Sequence, residues 1–169
     1  GFRKVKYVVP GGKERYDSVY EGLKACGECD IIFIHDGARP FPDSEMLERT
    51  MEAAGQYGAC VAAVPTKDTM KLGTADGLVE KTLDRSTLWN VQTPQVFQYD
   101  LICKAHREIR KGSMEGITDD AMMIETLGIC PVKLVMGSYD NMKVTTPEDL
   151  VIAENILNRR KAAGQEVKE

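Results

Sequence analysis

Asp36 and Arg39 stand just beyond an apolar run in the stretch Ile31-Ile32-Phe33-Ile34-His35-Asp36-Gly37-Ala38-Arg39-Pro40-Phe41. β-Branched and aromatic residues in such a run predict a buried strand, which small residues and Pro40 stop abruptly. In open α/β sheets ligands bind at the carboxyl ends of strands. A carboxylate and a guanidinium delivered there suggest a metal ligand and an anion clamp. The plainer alternative is a solvated ion pair closing an ordinary strand.

Further groups recur at breaks between apolar segments. Gly11-Gly12-Lys13-Glu14-Arg15-Tyr16-Asp17-Ser18 combines a glycine pair, which lets backbone approach a ligand closely, with residues that open a helix. Ser18 or Asp17 could equally serve only as the helix cap. The segment is no Walker loop, because the Gly-Lys-Ser/Thr ending is missing. Lys67-Asp68-Thr69-Met70-Lys71 and Asp84-Arg85 are charged and default to solvated surface. Trp89-Asn90-Val91-Gln92-Thr93-Pro94-Gln95-Val96-Phe97 gathers amides and a threonine able to satisfy a sugar, a base or merely neighbouring backbone. Ile117-Thr118-Asp119-Asp120-Ala121 places Thr118 where a helix N-cap is expected. Asp140-Asn141-Met142-Lys143-Val144-Thr145 brings Lys143 to a sheet edge, where it needs solvent or an anion. With two histidines, and His106 on a segment read as a polar helix, Ser-His-Asp chemistry has little support. Carboxylate, Arg, Lys and Thr without a positioned nucleophile suit phosphoryl or nucleotidyl transfer, where positioning and charge neutralisation carry catalysis.

The elements that must position these groups alternate. Lys4 to Pro10 reads as a short strand, Ser18 to Ala25 as a helix, Ile31 to His35 as a strand, and Asp43-Ser44-Glu45 opens a helix through Ala54. Ala59 to Pro65 is a second buried strand. This order predicts an α/β, Rossmann-like, mostly parallel sheet with helices on both faces. The rhythm breaks over 66–91, where two polar-alternating pieces flank Gly73-Thr74-Ala75-Asp76-Gly77. A hairpin with so little apolar content projects as a β-arm and needs a partner surface. Helices follow at Tyr99 to Lys111 and Asp119 to Leu127, then a strand from Val132 to Met136. Thr146-Pro147-Glu148-Asp149 starts a last helix, with fraying expected from Arg159 onward.

Composition narrows the function classes. The 169 residues suit one domain with a proper core. A net charge of −4 argues against a nucleic-acid partner, which needs a basic face, but leaves room for a small phosphorylated ligand. No apolar run reaches the roughly 18–20 residues of a membrane span, and no signal peptide is read, so a cytoplasmic location is expected. The five cysteines (Cys26, Cys29, Cys60, Cys103, Cys130) are odd in number and read as reduced thiols. Cys26-Gly27-Glu28-Cys29 has CxxC spacing without a second pair, a weak basis for redox or zinc chemistry.

In this order the motifs resemble the 2-C-methyl-D-erythritol 4-phosphate cytidylyltransferases of the non-mevalonate isoprenoid pathway. The pieces that carry the resemblance are Gly11-Gly12-x-x-Arg15-x-x-Ser18-Val19, His35-Asp36-Gly37-Ala38-Arg39-Pro40, Asp68-Thr69-Met70-Lys71, Asp84-Arg85-x-x-Leu88-Trp89, Thr93-Pro94-Gln95, Ile117-Thr118-Asp119-Asp120-Ala121 and Asp140-Asn141-x-Lys143-Val144-Thr145. The resemblance implies transfer of CMP from CTP to the phosphate of methylerythritol phosphate, with release of pyrophosphate and use of Mg²⁺. It implies that Asp36 holds the metal and that Gly11, Gly12, Ser18, Asp36 and Lys143 contact the nucleotide. Arg39, Thr69, Thr93 and Thr118 would bind the acceptor. Arg85, Lys143 and Asp36 would be catalytic. It further implies a homodimer whose arms exchange, so that Thr69 and Arg85 serve the partner's site.

The family's nucleotidyltransferase domains begin with a strand and a Gly-rich loop carrying an Arg and a Lys. The 169 residues contain no Gly-x-Gly-x-Arg signature. The expectation is a single nucleotidyltransferase domain over 1–169 that is incomplete at its N-terminus. A ribitol-5-phosphate cytidylyltransferase is the closest alternative, set aside because Gly37-Ala38 and Met70-Lys71 fit methylerythritol phosphate better. A non-catalytic dimerisation or regulatory module, or an inactive fragment, is the alternative from another class.

Overall fold

The computed structural model describes residues 3–112 and 116–164. Its elements are α1 (Arg15–Cys26), β1 (Ile31–Ile34), α2 (Ser44–Tyr57), β2 (Ala59–Pro65), β3 (Lys71–Gly73), β4 (Val79–Thr82), β5 (Trp89–Gln98), α3 (Tyr99–Ile109), α4 (Asp120–Thr126), β6 (Val132–Met136) and α5 (Pro147–Ala162). The main sheet has the order β1-β5-β2-β6. β5 runs antiparallel to both β1 and β2, whereas β6 is parallel to β2. β1, β2 and β6 therefore share one direction, and β5 is the single reversed strand.

Alternation along the strands sends side chains to two cores. Ala59, Val61 and Phe97 pack with Leu23 of α1, with Ile102, Ala105 and Ile109 of α3, and with Met123 and Ile124 of α4. Cys60 and Val96 face the opposite side and pack with Ala54 of α2 and Val135. Helices cover both faces, as the alternating order of elements predicts.

Two strand expectations are corrected. Lys4 to Pro10 forms no strand; it runs as exposed chain with no ladder partner among the described residues. Alternation alone does not make a strand without a neighbour to pair with. Among the described residues the run at Ile31–Ile34 is hydrogen-bonded to β5 alone, and Phe33 is 37% exposed instead of buried.

β5 carries the feature that shapes the site. Val61 pairs with Gln95 but Ala63 pairs with Val91, so Gln92, Thr93 and Pro94 stand opposite Ala62 alone. This bulge takes three residues out of regular pairing and turns them toward the strand ends. Pro94, unable to donate to a ladder, is tolerated there.

β3 and β4 pair only with one another, and every residue of both is exposed. The projecting arm read from the sequence is present. Its root is closed by the Thr66 N–H donating to the Leu88 carbonyl at 3.0 Å. The last helix begins with the Thr146 hydroxyl accepting the Asp149 N–H, and it continues to Ala162 instead of fraying at Arg159. Arg159 reaches both carboxylate oxygens of Asp140 and Arg160 reaches the Phe41 carbonyl, which holds that last turn in place. Residues 165–169 of the expected frayed tail lie outside the described residues. Among the described residues no helix is long and apolar enough to cross a membrane.

Candidate active site at the strand ends

Asp36 lies two residues beyond β1 and is the centre of a cation cluster. Its Oδ1 accepts from Arg15 Nε at 3.2 Å and its Oδ2 faces Lys143 Nζ at 2.9 Å. Arg39 is not its ion-pair partner, contrary to the plain strand-end alternative. Arg39 instead donates through Nη1 to the Asn141 carbonyl at 2.8 Å. Lys143, expected at a sheet edge in need of an anion, has found one in Asp36.

Burial alone would raise the Asp36 carboxyl. Lys143 and Arg15 outweigh it and hold the group below the ordinary carboxylate range. Arg15 shows the same balance in reverse: burial lowers it, but Asp120 and Asp36 together raise it. Arg39 is lowered by burial, with Asp36 opposing, and a guanidinium stays charged regardless.

The β5 bulge ties the cluster together. Thr93, 5% exposed, accepts the Asp36 backbone N–H on Oγ1 at 3.0 Å and lies 3.1 Å from His35 Nδ1. His35 Nε2 faces the Arg39 carbonyl at 2.8 Å, so one imidazole spans the turn that carries Asp36. Gln92 donates to the Ser138 carbonyl, and the fully buried Asn141 donates to the carbonyl of Thr93 at 2.8 Å. The loop after β6, which bears Lys143, is thereby fastened to β5. Gly137 permits this: a Cβ there would lie 2.5 Å from Gln92 Oε1.

The glycine pair behaves as its residue types suggest. Gly12 donates its N–H to Ser18 Oγ at 3.0 Å, and a Cβ on Gly12 would collide with Asp17 Cβ at 2.1 Å. A Cβ on Gly11 would meet Ser18 Oγ at 2.9 Å. Neither Ser18 nor Asp17 caps the helix. Glu14 is the N-cap, and the Asp17 carboxylate accepts the Glu14 N–H at 3.2 Å. Ser18 lies a turn into α1 with its hydroxyl among the backbone of the glycine loop.

Two further expectations change. Thr118 is not the cap of α4; the Asp119 side chain accepts the Met122 N–H at 2.8 Å in that role. Among the described residues Thr118 Oγ1 has only Met122 Sδ at 3.7 Å, and Thr118 is exposed. His106 is not on a polar surface: it is fully buried, with Nε2 3.2 Å from Asp120 Oδ1. Its helix is polar on one side only, and His106 falls on the face that meets α4 and the Tyr20 ring.

The arm residues stay apart from this cluster. Arg85, in the turn Arg85–Thr87, donates to the Lys67 carbonyl at 3.0 Å, and Thr69 is exposed at the arm's root. Among the described residues neither contacts Asp36, Arg39 or Lys143. The residues that sequence reasoning left without a role are Arg15, Gln95, His106 and Asp120. Gln95 Oε1 accepts the N–H groups of both Asp120 and Ala121, pinning the start of α4 to β5. Buried Gln and Asp beside a strand-central proline were the available signal, visible only once β5 and α4 are adjacent.

Residues 2–159 match the family model of 2-C-methyl-D-erythritol 4-phosphate cytidylyltransferase. The chain belongs to that family. A relative of that name from Pelotomaculum thermopropionicum is 51% identical over 161 residues, covering 95% of this chain and 67% of the relative. One from Geobacillus thermodenitrificans is 53% identical over 159 residues, covering 94% and 68%. Among solved structures, the 4-diphosphocytidyl-2C-methyl-D-erythritol synthase of Anaerococcus prevotii superposes with a TM-score of 0.83 at 36% identity, covering 89% of this chain and 69% of that one. The Thermus thermophilus cytidylyltransferase superposes with a TM-score of 0.79 at 35% identity, covering 89% and 72%. Such similarity over so much of the chain carries the family's nucleotidyltransferase fold with it, a mixed α/β sheet with one reversed strand.

Proposed function

We propose that the chain transfers CMP from CTP to the phosphate of 2-C-methyl-D-erythritol 4-phosphate. An acceptor phosphate oxygen attacks the α-phosphorus, a new P–O bond forms, and the bond to the β-phosphate breaks to release pyrophosphate. The observation that carries this reading is the family match over residues 2–159, combined with Arg15 and Lys143 bound to the one carboxylate of Asp36 at the strand ends and Arg39 in the turn that follows it. Lys143 and Arg39, close to an acid that Arg15 holds in place, neutralise phosphate charge better than an isolated surface lysine does.

The residues divide the work as follows. Lys143 is 46% exposed and free to turn from Asp36 toward a phosphate. Arg39 and Thr93 border the acceptor side, and Thr118 and Thr69 contribute hydroxyls from α4's approach and from the arm. Gly11 and Gly12, with Ser18 from the first turn of α1, form the surface against which the nucleotide rests. Among the described residues no three of His, Cys, Asp and Glu gather as a metal cage. One accessible carboxylate nonetheless fits Mg²⁺, which is often held by one or two carboxylates and the substrate's phosphates. Asp36 would hold it, and the ion would supply charge neutralisation on the triphosphate.

The arm, with its exposed Met70, Leu72, Leu78 and Val79, needs a covering surface. A second copy of the chain supplies one in a two-fold dimer, and Arg85 and Thr69 then reach the partner's acceptor phosphate. The test of function is pyrophosphate release with CTP, Mg²⁺ and methylerythritol phosphate, run beside ribitol 5-phosphate. Release with the first acceptor alone is expected. Release with ribitol 5-phosphate in preference, or with neither, overturns the reading.

A further inference from the structure

Behind Asp36 runs a line of charge that the reaction itself does not call for. Arg15 Nη1 donates to Asp120 Oδ2 at 2.7 Å while its Nε donates to Asp36 Oδ1, so one guanidinium bridges two carboxylates. Asp120 has no exposed side-chain surface, and its other oxygen meets His106 Nε2. A carboxylate only accepts, so Nε2 carries the proton of that bond. His106 Nδ1 is buried with no partner among the described residues, and the ring stacks on Tyr20 at 5.7 Å. Gln95 fixes the backbone of Asp120 from β5. Each member from His106 to Arg15 is thus immobilised by the one before it.

The two oxygens of Asp36 are consequently unlike. Oδ1 is bound to a guanidinium anchored in the core, whereas Oδ2 is bound to Lys143, whose side chain is 46% exposed against 35% for Arg15. A buried ion pair is poor evidence of a stability device, because desolvation offsets most of its attraction. A planar fork locked between two acids does, however, set direction.

We propose that Asp120, backed by His106, is a positioning residue that locks Arg15 onto Asp36 Oδ1 and so reserves Oδ2 for a divalent cation and the nucleotide's phosphates. The reservation of Oδ2 rests on the cytidylyl-transfer reading, whereas the locking of Arg15 stands without it. Neither Arg15 nor Asp120 need touch the substrate. The expected signature is a site that keeps its fold but loses order when Asp120 is neutralised.

The experiment uses the whole chain with two readouts. The first is exchange of the Arg15 Nε–H with water, followed by side-chain NMR. The second is affinity for Mn²⁺ in the presence of CTP, followed by electron paramagnetic resonance. Asp120→Asn is expected to speed the exchange and to weaken Mn²⁺–CTP binding about tenfold or more, the usual effect of removing an outer partner of a metal ligand. Glu125→Gln, an exposed acid on the same helix, should change neither. Should Asp120→Asn fail to fold, the half-exposed Arg15→Lys keeps the charge but lacks the planar fork, and the same loss of binding is expected. Unchanged exchange in Asp120→Asn, or unchanged Mn²⁺–CTP affinity in a folded variant of either residue, overturns the proposal. If the unmodified chain binds no Mn²⁺–CTP, the functional reading fails instead, and the Arg15 exchange still decides the lock.

Discussion

The Thr93 hydroxyl accepts the backbone N–H of Asp36 at 3.0 Å, linking the β5 bulge to the end of β1. Thr93 is almost shut off from solvent, and without its hydroxyl the Asp36 N–H has no partner among the hydrogen bonds of the described residues. Thr93→Val keeps shape and removes the acceptor. A loss of about 1–3 kcal/mol is expected, the cost of orphaning one largely buried donor. Thr93→Ser should recover most of it. Urea denaturation measures both; a Val variant as stable as the parent would confine Thr93 to ligand contact.

Gly137 makes a second structural prediction. Its Cβ position is 2.5 Å from Gln92 Oε1 and 3.3 Å from the Ala63 nitrogen. Gly137→Ala must therefore push the Gln92 amide away from Ser138 and Asn141, costing about 1–3 kcal/mol as overpacking does. Combining it with Gln92→Ala should cost less than the sum of the two single changes, because the clash is then relieved. Strict additivity in thermal melts would show that Gln92 is not what Gly137 accommodates.

Asp36 carries a pH prediction with a definite sign. Its carboxyl is held below the ordinary value by Lys143 and Arg15 against the opposing effect of burial. A carboxyl lowered in the folded state contributes stability that is fully present above the unfolded value of about 3.9 and is lost as pH falls through the lowered one. The stability gap between the parent and Asp36→Asn should thus close below about pH 4. A gap that is the same at pH 7 and pH 3 would mean that the ionised carboxylate contributes nothing.

The same variant tests the chemistry. If Asp36 positions cations and the metal against the triphosphate, Asp36→Asn should lower kcat by roughly a hundredfold or more, as when a preorganised charge at a reacting phosphate is lost. Turnover near that of the parent would return Asp36 to a purely structural ion pair.

What was legible in the sequence depended on how local each signal is. Asp43 before Ser44, and Thr146-Pro147 before an apolar stretch, announce helix starts that the structure places within a residue. The arm was legible because Gly73 to Gly77 is turn chemistry and its flanks have nothing to bury. The Asp36–Arg39 stretch was legible as a strand end, yet Asp36's partners were not. Arg15 and Lys143 lie 21 and 107 residues away in the chain, and only the packing of α1 and the β6 loop brings them together. His106 misled for a related reason: Arg107, Glu108 and Arg110 around it are polar, and its burial depends on α4 docking across it. Lys4 to Pro10 forms no strand because alternation records what a strand would present, and no neighbour among the described residues pairs with it.

The last prediction concerns the division of labour between subunits. Arg85 sits at the root of an arm whose strands are wholly exposed, and among the described residues its guanidinium hydrogen-bonds only to the Lys67 carbonyl. Lys143 is bound to Asp36 of its own sheet. If both grip the acceptor phosphate in an arm-exchanged dimer, Arg85→Ala and Lys143→Ala should each be nearly inactive. Mixing the two homodimers and letting subunits exchange then produces a heterodimer with one intact site, made of Lys143 from one protomer and Arg85 from the other. The second site of that heterodimer carries both lesions. Activity of up to about half that of a parent dimer is expected per heterodimer, by counting in a two-fold assembly. With exchange verified by mass labelling, a mixture that stays inactive would place Arg85 and Lys143 in the same subunit's site and remove the arm crossing.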